Sequence, residues 1–283
     1  MTAKIIAIGN QKGGVGKTTI TTQLAYYFAL KRNKKVLVVD MDRQANATGA
    51  LYGWDDEGRA LPCPEGVTTM FDLFQKDLPQ GIHPAKTKYG IDLIFGRKDQ
   101  DQSMEDSYSG SKDLIIKTEN VFNPRRHLRT KEILENYDYV LIDCNPQNTP
   151  ALHAPILASH YLICPLNVDS YSLSAVSDMM VMVKKLRDTW SEADCTFLGI
   201  VFNNCNGSKS EENEAERVMA SIDDDQLFNC AINSRPSIRA AAGQNKPIWL
   251  MKSSQKATEE MMEFFTEVEK KIAKVERKAK RNS

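Results

Sequence analysis

The chain has 283 residues and carries 37 Lys and Arg against 37 Asp and Glu, a formal charge of zero at pH 7. That balance excludes a histone-like polycation, and 41% hydrophobic with 26% charged residues excludes wholesale disorder. The length can bury a sizeable core, and one wound α/β domain fits it as well as two smaller domains.

No apolar run approaches the ~18 residues of a membrane span, and Ile5-Ile6-Ala7-Ile8 is too short for a signal peptide's apolar region. A cytoplasmic protein is expected. Six cysteines (Cys63, Cys144, Cys164, Cys195, Cys205 and Cys230) contain no Cys-x-x-Cys pair, which argues against a zinc site or a disulfide framework.

Lys4 to Gly9 reads as a strand, followed by a glycine-rich turn and a helix from Lys17 to Leu30 with Ile20, Leu24, Tyr27 and Phe28 on its apolar face. Val36 to Val39 is a second strand ending in Asp40, continuously apolar as in a parallel sheet buried on both faces. Similar runs at Ile91–Phe95, Tyr139–Ile142, Tyr161–Cys164 and Phe197–Phe202, with a helical stretch over Ser170–Arg187, predict a doubly wound, mostly parallel α/β sheet with helices on both faces, in a single domain. Surface excursions are expected near 52–67, 97–112 and 206–226, the last strongly acidic, and a basic C-terminal helix over 256–283.

Lys12-Gly13-Gly14-Val15-Gly16-Lys17-Thr18-Thr19 lies directly between the first strand and the first helix, where a phosphate-binding loop belongs. Its glycines let backbone N–H groups converge on phosphate oxygens at a helix N-terminus. In such a loop Lys17 reaches the β- and γ-phosphates and the Thr18 hydroxyl ligates Mg²⁺. The general motif has a glycine at the place of Gln11, so this is a variant loop with a second lysine, Lys12.

On Lys-Gly-Gly-x-Gly-Lys the chain resembles the deviant Walker A ATPases, which include ParA/Soj partition proteins, MinD and the nitrogenase iron protein. Their P-loop fold, their ATP and Mg²⁺, and a nucleotide sandwich homodimer are what this resemblance implies. It implies for Lys12 a contact with the phosphates held by the partner subunit. Asp40-Met41-Asp42-Arg43-Gln44-Ala45-Asn46-Ala47-Thr48 is similar to the partition proteins' Asp-x-Asp-Pro-Gln-x-Asn-x-Ser/Thr, with Arg43 replacing proline. Alternation places both acids on the same side of the chain. By resemblance, Asp42 positions the attacking water, while Asp40 serves the metal's water shell or caps a loop. Tyr139-Val140-Leu141-Ile142-Asp143 suits a strand whose terminal carboxylate holds Mg²⁺ through water, although the chain reads Asp143-Cys144-Asn145-Pro146-Gln147 where the family has Asp-x-Pro-Pro.

The resemblance runs from Lys4 to about Leu250 and also implies Asn203 as an adenine contact, since a carboxamide can pair with both edges of the base. Ile232–Ala241 departs from the family's Ile-Pro-Arg: Arg235 and Arg239 keep positive charge, but an arginine that some members use on DNA falls on Ser237. His83, His127, His153 and His160 share no metal-binding spacing. Met261, Met262, Phe264, Phe265, Val268, Ile272 and Val275 recur at helical spacing, and Lys271 to Ser283 then holds six bases and one acid. No bulky apolar residue follows Val275, which points away from a MinD-like membrane anchor and toward nucleic acid, or else a solvated helix end.

The cysteine surroundings do not suit a shared iron–sulfur cluster, and the tail holds no tyrosine, as a bacterial tyrosine kinase would require. The expected function is a ParA-type ATPase whose ATP dimer binds DNA non-specifically, associates with the nucleoid, and is reset by a centromere-binding, ParB-like adaptor. With no DNA-reading segment before Lys4, sequence-specific operator binding is not expected. Two other readings are a MinD-like positioning ATPase on a membrane and a nucleotide-gated scaffold with little turnover.

Overall fold

The computed structural model describes residues 2–96, 120–147, 149–169 and 171–282. Its strands are β1 (Lys4–Ile8), β2 (Val36–Met41), β3 (Ala85–Lys86), β4 (Asp92–Ile94), β5 (Tyr139–Cys144), β6 (Tyr161–Leu166), β7 (Thr196–Cys205) and β8 (Leu227–Asn233). The principal helices are α1 (Lys17–Tyr26), α2 (Asn46–Tyr52), α3 (Pro150–Ala158), α4 (Ser172–Thr189), α5 (Lys209–Ser221), α6 (Pro236–Gly243) and α7 (Gln255–Asn282). Shorter helical segments occupy Met70–Leu73, Asn123–Leu128 and Lys131–Asn136.

The described strands form one sheet in the order β3-β4-β2-β5-β1-β6-β7-β8, parallel throughout except for the β3–β4 pair. Every residue of β2, β5 and β6 is buried, which explains their unbroken apolar runs: helices cover both faces. Leu152, Ile156, Val176, Met179 and Val183 close one face. Ile20, Leu24, Phe28, Phe264, Phe265 and Val268 close the other.

The helix expected from Lys17 to Leu30 is α-helical only to Tyr26 and continues as a π-turn over Tyr27–Lys31. That wider turn brings Tyr27 and Arg32 against α7, where the Tyr27 hydroxyl donates to Glu269 at 2.6 Å and Arg32 Nε at 3.0 Å. The C-terminal helix buries Met261, Phe264, Phe265, Val268 and Ile272, the apolar stripe of the sequence.

The acidic stretch 206–226 holds α5, the crossover from β7 to β8, capped where Ser208 accepts from the Glu211 N–H at 3.3 Å. β8 was not among the strands read from the sequence. It is an edge strand, buried only on alternate residues Phe228, Cys230 and Ile232, and polar Asn229 interrupts its apolar pattern. Its outward N–H groups are capped by α7: Asn229 N donates to Glu267 at 2.9 Å and Asn233 N to Glu260 at 3.2 Å. This blocks the edge against further strand pairing. The excursion expected near 97–112 lies outside the described residues. No described helix is long and apolar enough to cross a membrane.

Candidate nucleotide site

β2, β5 and β1 lie side by side, and their register aligns Asp40 with Asp143 and Asp143 with Ile8. Adjacent strands sit about 4.8 Å apart, so the acids gather at the C-terminal strand ends beside the loop that leaves β1. Here the chain turns from β1 toward β2 on one side and from β5 toward β6 on the other. In open α/β sheets, ligands bind at such a switch point.

The loop's shape is set from below by amides. Asn203 Nδ2 donates to the Val15 carbonyl at 2.7 Å, Asn204 and Asn167 donate to the Gly14 carbonyl at 3.3 and 3.4 Å, and Asn10 Oδ1 accepts from Lys12 N at 2.9 Å. With its carbonyls engaged, the loop can turn its N–H groups toward an anion. Gly14 and Gly16 have φ of 73° and 89°, and a Cβ on Gly16 would lie 2.1 Å from Asn203 Nδ2. Gly13 stands in open space, with nothing within 4 Å of a Cβ placed there.

Lys17, 7% exposed, donates from Nζ to the Lys12 carbonyl at 3.0 Å. Burial pulls its pKa down, while Asp143 and Asp42 pull it up. Thr18 Oγ1 donates to Asp143 Oδ2 at 2.6 Å, and Thr21 Oγ1 approaches the other carboxylate oxygen at 3.4 Å. Thr19 follows in α1, where its carbonyl accepts from the Thr22 hydroxyl at 3.2 Å. Asp42 Oδ1 accepts from Gln44 N at 3.0 Å and Asn145 Nδ2 at 3.5 Å.

Asp40, expected at the metal's water shell or as a loop cap, has its hydrogen bonds directed to its own turn. Oδ2 accepts from Thr48 N and Oγ1, both at 2.7 Å, and Oδ1 from Asp42 N at 3.1 Å. These bonds tie Asp40 to the turn that runs from Asp42 to Thr48. Asn203, expected at adenine, has an amide N–H engaged on the loop. Arg235 is ion-paired to Glu260, which withdraws its charge from the surface, whereas Arg239 is exposed.

Burial pushes the Asp143 carboxyl well above the usual carboxylate range, with Asp40 and Asp42 adding repulsion and Thr18 and Lys17 opposing. Burial likewise raises Asp40 to about 7 against its hydrogen bonds from Thr48, and raises Asp42. Asp143 and Asp42 thus share one buried lysine, with buried Asp40 adding repulsion to Asp143, an excess of negative charge that a divalent cation would relieve. Mg²⁺ is held by one or two protein oxygen groups together with phosphate and water, and the Thr18 hydroxyl beside the Asp143 carboxylate is a donor set of that kind.

Lys12 does not reach into its own loop: its Nζ pairs with Asp169, in the turn after β6, 6.0 Å from the Tyr171 ring centre. Asp169, Asn10, Asn167 and Asn204 were not among the residues read from the sequence. Asp169, Asn167 and Asn204 lie more than 150 residues from the loop they contact.

The model of the AAA domain family matches residues 3–194. The chain belongs to the AAA domain family. Within this family it is of the ParA/MinD type. It is 31% identical over 65% of its length to an uncharacterized protein of Pseudomonas putida, spanning 64% of that relative. It is 26% identical to the sporulation initiation inhibitor protein Soj of Bacillus subtilis, over 94% of this chain and 98% of Soj. In structure it is similar to a Cyanothece McdA variant in complex with ATP, at a TM-score of 0.75 and 19% identity over 96% of this chain and 97% of that one.

Proposed function

We propose that the chain is an Mg²⁺-dependent ATPase whose ATP-bound homodimer binds duplex DNA without sequence preference and lets go after hydrolysis. The observation that carries the reading is the cluster of buried Lys17, half-buried Thr18 and buried Asp143 beneath the phosphate loop. With ATP present, the N–H groups of Gly13 to Thr19 cradle the phosphates and Lys17 neutralises the β- and γ-phosphates. Thr18 would hold Mg²⁺ directly and Asp143 through water, which requires their mutual hydrogen bond to open. Mg²⁺ supplies charge neutralisation of the phosphates. Asp42, at the loop's side of β2, orients the water that attacks the γ-phosphorus as the bond to the β–γ bridging oxygen breaks. Asp40 keeps the Asp42 turn rigid, and Asn203 holds the loop while its remaining amide groups face the adenine.

Lys12 acts across the dimer, on the phosphates held by the partner, which requires it to leave Asp169. DNA binding by neutralised phosphates weakens steeply with salt. A centromere-binding, ParB-like adaptor stimulates hydrolysis, so the protein cycles between nucleoid and cytoplasm and segregates its cargo. The AAA domain family, ParA/MinD type, and the likeness to Soj support this cycle.

The test is co-sedimentation with duplex DNA in ATP or ADP, for wild type and Lys12→Ala. Wild type is expected to bind in ATP alone, and Lys12→Ala to bind ATP but neither dimerise nor bind DNA. DNA binding indifferent to nucleotide would contradict the switch.

A further inference from the structure

α7 ends in a dense basic face. Lys274 and Lys278 both form their ion pairs with one carboxylate, Asp225, at 2.5 and 3.3 Å. Lys271 Nζ donates to the Asp225 carbonyl at 2.8 Å and lies 4.9 Å from the Phe228 ring centre. Asp225 stands in the 3₁₀ turn Asp224–Gln226 that closes the acidic crossover before β8. The three lysines follow one another at three- and four-residue spacing, on one side of a helix. Beneath them Phe197, Leu198 and Val275 floor a cavity of about 330 Å³. Glu276, the one acid of the tail, faces away and pairs with Lys4. Arg277, Lys280 and Arg281 continue the exposed basic surface toward the end of the helix.

The geometry points to Asp225 as an internal stand-in for a DNA phosphate: it holds the tail's lysines in register and yields them to the duplex backbone. Charge complementarity selects the occupant. Two lysines answered by one carboxylate are under-neutralised, even with Glu267 acting on the neighbouring Lys271, and a polyanion with regularly repeated charge satisfies them better. Asp225, Lys274 and Lys278 have side chains 60%, 52% and 63% exposed, so the pairs are screened and easily exchanged. A lipid surface fits poorly. The large apolar residues of α7, Met261, Phe264, Phe265, Val268 and Ile272, are buried against the sheet, leaving no apolar stripe to enter a bilayer.

The inference rests on the DNA-binding reading above and adds where the backbone docks and what competes with it. Because Asp225 occupies the lysines, binding must exchange one internal anion for external phosphates. Removing that anion therefore strengthens binding and adds about one released counterion, a change of about −0.9 in the slope of log affinity against log salt.

The experiment measures duplex DNA affinity in ATP across a salt series for wild type, Asp225→Asn and the double variant Lys274→Gln/Lys278→Gln. All three substitutions are on the surface, and circular dichroism with ATP turnover checks the fold independently of DNA. Asp225→Asn is expected to tighten binding about threefold and steepen the slope by about one unit. The double variant is expected to weaken binding and flatten the slope by up to two units. Wild-type binding with an unchanged Asp225→Asn affinity and slope would overturn the exchange alone. If neither wild type nor Asp225→Asn bound duplex, the DNA reading itself would fall. A gain on anionic phosphatidylglycerol vesicles equal to that on DNA would overturn the choice of nucleic acid.

Discussion

Gly16 shows how narrowly the loop is built. It combines a left-handed φ of 89° with an amide contact that leaves no room for a methyl group. Asn203 occupies that space because its Nδ2 must reach Val15 O. Gly16→Ala is therefore expected to displace Asn203 and strain the turn by about 1–2 kcal/mol. ATP affinity should fall at least tenfold by isothermal titration calorimetry. Gly13→Ala, with open space around its Cβ, is expected to leave thermal stability unchanged, so equal destabilisation of the two variants would disprove this account of the loop. The loop's lysines and hydroxyl were legible because their chemistry needs residues that are consecutive. Asn167, Asn204 and Asp169 were not, since a lone Asn or Asp serves many turns, and only the fold brings these beside residues 12–15.

At the scale of elements, the central strands announced themselves because burial on both faces forces continuous Val, Ile and Leu. β8 did not, since half of its residues face outward and Asn229 serves a glutamate of α7. The π-turn at Tyr27–Lys31 was also hidden: its reason is the distant Glu269, not the local sequence. His160 shows a similar long-range constraint. Its Nδ1 accepts from Ile5 N at 3.0 Å, extending the β1–β6 pairing through a side chain. Burial, with Arg129 and Arg125 nearby, lowers its pKa to about 4. The folded value lies below the unfolded value of roughly 6.5, so its contribution is complete above that pH and is lost as pH falls through 4. The integrated loss between pH 7 and 4 is about 3 kcal/mol. Urea unfolding of wild type and His160→Gln at both pH values measures it: the variant should lose less stability on acidification by about that amount. An identical loss would show that His160 is not held neutral in the fold.

Across the whole molecule, the zero net charge conceals two opposed surfaces that meet. The acidic crossover after β7 and the basic end of α7 touch at Asp225, so part of the tail's positive charge is answered within the chain. At the opposite extreme of burial, Asp42 and Asp143 act on Lys17 while Asp40 repels Asp143, a charge imbalance kept out of water at the strand ends. The first arrangement is suited to exchange with a polyanion and the second to capture of a metal-bound triphosphate. In the proposed cycle the link between them is the ATP-bound dimer, in which Lys12 leaves Asp169 for the partner's nucleotide. All of this depends on the buried cluster being a phosphoryl-transfer site. Steady-state ATP turnover, measured for wild type and Asp42→Asn with Mg²⁺ and with EDTA in its place, tests that most directly. The account predicts turnover that EDTA abolishes and that Asp42→Asn lowers by about 100-fold or more while ATP is still bound. Turnover that persisted without Mg²⁺, or that Asp42→Asn left unchanged, would contradict it.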